Sequence, residues 1–256
     1  AVTKQVAGVA IQTILSFPPQ VHRGWEYIPR QGLLFTPTGI IHLLASIWPD
    51  EGPEITRLDG GDLLYMKATL LLLYGCLEIV ARGDGQLTHL RMERNTVAWS
   101  YLCQPLWQLL LNAKGPPETA RRKMLFPLNV QQAYKPLPLK FANGVKIYGL
   151  LPGEQLEELV FQPGTWKRHL IFLRQPVTAN TLLLLTSHYM VVIQEEPKVR
   201  QGWILSYIPR ACIHTIGARQ GEPHHELIVG LKRGEQTAEY KLALVKETIE
   251  AWQEAW

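Results

Sequence analysis

Short apolar or alternating runs, rich in Ile, Val, Leu and Tyr and punctuated by Gly, Pro and Asp, dominate this chain. Such runs predict antiparallel strands. In the second half they fall at about 181–195, 203–209, 212–218, 225–233 and 237–243. Gly234, between Arg233 and Glu235, supplies the positive φ that a tight hairpin needs. After residue 244 the period changes. Val245, Ile249 and Trp252 stand at i, i+4 and i+7 on one helical face, with Lys246 and Glu250 paired on the solvated side. A second helical stripe, Val6, Val9, Ala10, Thr13, Ile14 and Phe17, predicts an N-terminal helix within residues 1–19, stopped by Pro18-Pro19.

The same pattern occurs twice. Leu33-Leu34-Phe35-Thr36 aligns with Leu183-Leu184-Leu185-Thr186, placing Thr36 and Thr186 150 residues apart. Glu78-Ile79-Val80-Ala81 aligns with Leu227-Ile228-Val229-Gly230, and each is followed by a turn and an alternating strand. Each half then ends in a Trp-bearing helical segment, with Trp99 and Trp107 in the first and Trp252 and Trp256 in the second. A nearly constant offset across several elements in one order predicts a tandem duplication. The expected organisation is an N-terminal helix at 1–19, a first domain at 20–113, a connector at 114–144 and a second domain at 145–256. A helix closing each sheet is physically reasonable, because a small sheet exposes its edges and core unless something covers them.

Composition adds two points. A hydrophobic share of 46% with 19% charged residues is that of a folded globular protein. The net charge of +4 is unevenly spread. Residues 114–140 carry Lys114, Arg121, Arg122, Lys123, Lys135 and Lys140 against Glu118 alone, whereas the flanking halves are near neutral. Five prolines in the same stretch predict an extended, loop-like connector. Arg121, Arg122 and Lys123 are therefore candidate contacts for an acidic protein or a lipid headgroup. Nucleic acid is not expected, because neither half carries a basic stripe.

Catalytic signatures are missing from the sequence. It contains no GxxxxGK[ST], GxGxxG, GxSxG or HExxH motif. Cys76, Cys103 and Cys212 are far apart and read as small buried residues, suggesting a reducing, cytoplasmic setting. His224 and His225 are adjacent, so in a strand they point to opposite faces and share a metal poorly. His42, His188 and His214 read as hydrogen-bonded sheet residues. Arg57, Asp59 and Asp62 surround Gly60-Gly61 and read as a turn. The remaining candidate is a basic-aromatic cluster, Trp166, Lys167 and Arg168 with Arg174, suited to anionic headgroups or merely to covering apolar surface.

The lead-in Leu150-Leu151-Pro152-Gly153-Glu154, the LLLT strand within 181–193, and Ser206-Tyr207-Ile208-Pro209 running into 213–217 resemble the bacterial pleckstrin-homology-like (GRAM-like) families. The resemblance covers residues 150–256 and, through the repeat, extends more loosely to 25–113. It implies a mainly β (α+β) fold: two tandem bent β-sandwich or barrel domains, each closed by a C-terminal helix. That family carries a basic loop between its first strands, for which the cluster at 166–174 is a partial counterpart. The expected role is a non-catalytic, cofactor-free module that binds another polypeptide through its sheets or an inter-domain groove. The alternative is peripheral binding to anionic lipid.

Overall fold

A computed structural model describes residues 8–22, 26–46, 52–83, 85–95, 99–113, 135–170, 173–196, 199, 202–222 and 224–256. The first half runs through β1 (Thr13–Phe17), β2 (Gln20–His22), β3 (Glu26–Ile28), β4 (Gln31–Phe35), β5 (Gly39–Leu44) and β6 (Glu54–Asp59). A 3-10 turn at Gly60–Asp62 leads to β7 (Leu63–Leu71), β8 (Tyr74–Gly83), β9 (Gln86–Asn95) and helix α1 (Trp99–Ala113). Helix α2 (Leu139–Gly144) and a π-helical turn at Val145–Gly149 open the second half. Then follow β10 (Leu156–Gln162), β11 (Thr165–Leu170), β12 (Leu173–Thr178), β13 (Thr181–Thr186), β14 (Tyr189–Glu195) and β15 (Trp203–Pro209). A second 3-10 turn, Arg210–Cys212, precedes β16 (Ile213–Arg219), β17 (His225–Arg233), β18 (Gln236–Leu244) and helix α3 (Lys246–Ala255).

The protein is mainly β, built from several antiparallel sheets with a C-terminal helix, and no sheet closes into a barrel. Element order repeats. From β4 and β13 onward, corresponding strands begin at 31 and 181, 39 and 189, 54 and 203, 63 and 213, 74 and 225, and 86 and 236. The helices that close each series begin at 99 and 246. Sheet order repeats as well: β1-β4-β5-β6 matches β10-β13-β14-β15, and β7-β8-β9 matches β16-β17-β18.

The two series are joined by a strand pair. β15 pairs with β7, from Trp203 opposite Leu70 to Tyr207 opposite Met66, making one seven-stranded sheet ordered β10-β13-β14-β15-β7-β8-β9. Both faces of this sheet are covered. Leu182, Leu184, Val191, Ile193, Leu205 and Tyr207 join a core with α1, α2 and the first four-stranded sheet. Leu183, Leu185, Met190, Val192 and Ile208 join a second core with β16–β18 and α3. This explains the unbroken Leu182-Leu183-Leu184-Leu185 run, since a strand buried on both faces has no solvent side to alternate with. Each fully buried leucine contributes about 1.5–3 kcal/mol over its exposed state. The seam between the halves is thus hydrogen-bonded and packed.

Three expectations are corrected. The N-terminal stripe does not make a helix over residues 8–19, because Thr13–Phe17 is strand β1, paired with β4. The segment TILSF satisfies both periods. Thr13, Leu15 and Phe17 are half-buried while Ile14 and Ser16 are exposed, which is strand alternation, and pairing with β4 supplies the backbone partners. The first unit therefore cannot begin at residue 20 without severing β1 from its sheet. Nor is the connector extended throughout, since residues 139–144 are helical after Pro138, with Phe141 and Leu137 buried against the first core. Proline suits this position before a first turn, where no donor is needed. Residues 114–134, and with them Arg121, Arg122 and Lys123, lie outside the described residues, as do residues 1–7.

Candidate binding surfaces

Helix α1 decides where the molecule is open. In the second half, α3 packs over β10, and Val245 donates its backbone N–H to Gln162 Oε1 at 2.7 Å. No residue of β10 is exposed. In the first half, α1 sits differently. Its residue Asn112 donates through Nδ2 to the Pro37 carbonyl at 2.6 Å, and Gly60 lies so close that a Cβ there would be 2.6 Å from Asn112 Cβ. Toward the second half, the Tyr189 hydroxyl donates to the Leu110 carbonyl. Held by the 3-10 turn on one side and the joined sheet on the other, α1 does not cover β1.

The result is a cleft of about 680 Å3 between β1 and α1. Gln12, Thr13, Gln104 and Gln108 supply its polar lining, and Ile14, Leu15 and Pro105 its apolar lining. No charged side chain lines it. Among the described residues β1 pairs on one side only, with β4, and the backbone donors and acceptors of its other edge have no strand partner there. Pro105 lies inside α1 and has no N–H to give residue 101, a local irregularity where the cleft lies. Sequence reasoning missed this site, because it depends on where α1 docks.

The basic-aromatic candidates do come together. Trp166, Lys167, Arg168 and Arg174 lie on the two-stranded hairpin β11–β12, with Trp166 opposite Pro176, Lys167 opposite Gln175 and Arg168 opposite Arg174. Trp166 and Lys167 are exposed. Of the connector cations, Lys140 is engaged. Its ammonium donates to Glu195 Oε1 at 2.6 Å and lies 4.5 Å from the Trp203 ring centre.

The remaining chemistry-bearing residues are structural. Asp62 pairs with Arg82 at 2.6 Å, and Asp59 ends β6 at the surface, so this cluster frames a turn. His188 sits in the β13–β14 turn with Nδ1 3.0 Å from Glu154 Oε1, and Glu154 also accepts from the His188 N–H and the Thr186 hydroxyl. Burial pushes the Cys212 thiol up to about 12 and raises Cys76 too, leaving neither a ready thiolate. Among the described residues, no group of three or more His, Cys, Asp or Glu is placed to hold a metal ion. Arg210 locks the second half: it donates to Glu157 Oε2 at 2.6 Å and to the Thr186 carbonyl at 2.9 Å, and lies over the Trp256 ring.

His42 carries a pH dependence. Its Nε2 lies 3.3 Å from Gln31 Oε1 inside the sheet, and burial lowers its pKa below 6.5, with Glu54 pulling weakly the other way. Below 6.5 the unfolded chain takes up a proton that the folded chain resists, so this contribution is present above that pH and is lost on acidification. Urea unfolding of wild type against His42→Gln, followed from pH 7 down to about 5, is expected to show a flatter acid limb in the variant. Equal slopes would show that His42 titrates normally.

Neither a protein-family model nor a curated protein matches this chain. Among the described residues no helix is long and apolar enough to cross a membrane.

Proposed function

We propose that this chain is a tandem of two pleckstrin-homology-like modules, the first running from β1 to α1 and the second from β10 to α3, acting as a non-catalytic binder of an extended polypeptide. The repeated series of a four-stranded sheet, a three-stranded sheet and a closing helix supports the tandem reading. The observation that carries the binding role is the cleft of about 680 Å3 beside an edge of β1 that no described strand pairs with, at the place where the second half is filled by its own helix.

A partner strand adds to β1 through backbone hydrogen bonds, and its alternate side chains enter the cleft beneath α1. The uncharged lining selects a neutral, extended segment with small apolar or amide side chains, because a charge buried there would go unpaired. Glutamine amides at 12, 104 and 108 offer both donors and acceptors to such a segment.

Selection of a displayed random-peptide library on the purified chain tests this reading. Enriched peptides are expected to bind wild type and to lose about tenfold or more on Gln108→Trp, which fills the cleft from the helix, and on Ile14→Pro, which removes a β1 donor. Circular dichroism on both variants checks that the fold survives. Failure to enrich any peptide, or equal binding to Gln108→Trp, sinks the proposal.

A further inference from the structure

The end of the helix that walls the cleft is capped from the other half of the chain. The last four carbonyls of a helix have no partner within it and carry the negative end of its dipole. In α1 they belong to Leu110, Leu111, Asn112 and Ala113, and no basic residue lies in that turn to meet them. Two side chains of the second half reach it instead. The Tyr189 hydroxyl donates to the Leu110 carbonyl, and Arg233 donates through Nη2 to the Ala113 carbonyl at 3.4 Å. Burial pushes the Tyr189 phenol far above its ordinary range, so it keeps the proton that it donates.

Arg233 also donates through Nε to the Leu63 carbonyl at 3.4 Å, tying the end of α1 to the start of β7 with one rigid, planar group. It stands at the tip of the β17–β18 hairpin, and that tip is seated on the first half. Gln236 donates to the Gly85 carbonyl at 2.8 Å, in the β8–β9 turn. Gly234, at φ 57°, lies so near Arg82 that a Cβ there would stand 2.6 Å from Arg82 Nη1. Arg82 in turn pairs with Asp62 of the 3-10 turn.

The cleft feels this anchor. Of its lining residues on α1, Gln108 donates through Nε2 to Asn112 Oδ1 at 3.1 Å, one residue before the carbonyl that Arg233 holds. Toward the other end of α1, Pro105 leaves the carbonyl of residue 101 without its helical donor, which weakens the helix there. The orientation of Gln104 and Gln108 is therefore governed from the C-terminal end of α1, where the second half grips it.

We propose that Arg233 and Tyr189 are positioning residues for the cleft. The second half fixes the helix that walls the binding site of the first, and peptide affinity is coupled to the seating of the β17–β18 tip. Coupling in binding is reciprocal, so a bound peptide also steadies that tip. The coupling to affinity rests on the peptide reading above, whereas the anchoring of α1 does not.

Hydrogen exchange on the full chain without peptide tests the anchoring. Arg233→Met keeps the apolar stem and removes the donors, and Tyr189→Phe keeps the ring and removes the hydroxyl. Each is expected to speed exchange of amides 106–113 about fivefold or more, while amides of β13 and β14 keep their protection. Arg233→Lys, which keeps a cation at the helix end, is expected to restore most of the loss. A peptide enriched on wild type is expected to bind Arg233→Met about fivefold or more weakly, and at saturation to slow exchange of amides 232–236 in wild type. Unchanged exchange of 106–113 in both variants overturns the proposal, whether or not any peptide has been found. Faster exchange there with unchanged peptide affinity overturns the coupling. Failure to enrich any peptide sinks the peptide reading alone, since the anchoring is then decided by exchange without it.

Discussion

Trp252→Ala is expected to unfold both halves of the chain together, not the second half alone. Trp252 is fully buried in the core formed by β16–β18 and α3, and its indole N–H has no hydrogen-bond partner there, so the loss is one of packing. Truncating a buried tryptophan costs about 3–5 kcal/mol, a large part of a typical domain's stability. The same core contains Leu64, Tyr65 and Val80 from the first half, and Tyr65 meets the Tyr240 ring edge-on at 5.6 Å. The Tyr240 hydroxyl donates to Ser206 Oγ at 2.9 Å, within the strand that pairs with β7. A cavity at residue 252 therefore loosens strands of both halves. Hydrogen exchange on the variant checks this: amides of β7–β9 lose protection along with those of β16–β18. Retained protection in β7–β9 would show that the halves fold independently and that the seam contributes little. Trp252→Phe, keeping most of the volume, is expected to cost clearly less.

This coupling was not legible in the sequence, although its components were. The strands from residue 181 onward, the two Trp-bearing helices and the offset near 150 all follow from period and punctuation, whereas β10, β11 and β12 were not read from the sequence. Pairing of β15 with β7 joins residues more than 130 positions apart, and nothing in either strand's own pattern names its partner. Its one local trace is the Leu182–Leu185 run, whose lack of alternation signals two covered faces. β1 was misread because five residues fit both a helical stripe and a strand. The turn at Leu72-Leu73 hides within the most apolar stretch of the chain, where hydropathy gives no break. Length was the available signal, since residues 63–83 exceed the span of an ordinary strand. The hairpin cluster around Trp166 was found from composition, because exposed Trp beside Lys and Arg is unusual in a strand core. The β1–α1 cleft was beyond sequence reasoning, since it exists only because Tyr189 and the Gly60–Asp62 turn hold α1 away from β1.

The repeat carries a second consequence, for assembly. The seam joins the four-stranded sheet of the second series to the three-stranded sheet of the first. Repeating that relation would join β6 of another copy to β16 of this one, a head-to-tail contact that propagates unless its geometry closes. Among the described residues β6 pairs only with β5, and β16 only with β17, so both edges are available. Their side chains oppose the contact. Glu54 stands where the seam has Trp203, and Arg219 where it has Thr69. Charges on an edge strand discourage pairing, because each would be desolvated without a partner. Glu54→Trp/Arg219→Thr is thus expected to give concentration-dependent oligomers by light scattering, beyond any that the wild type forms. In that background Leu58→Cys and Ile216→Cys, the counterparts of Tyr207 and Met66 across the seam, are expected to cross-link between chains on oxidation. A variant that remains folded and monomeric at high concentration would show that apolar edge residues do not suffice, and that the seam forms only because its strands belong to one chain.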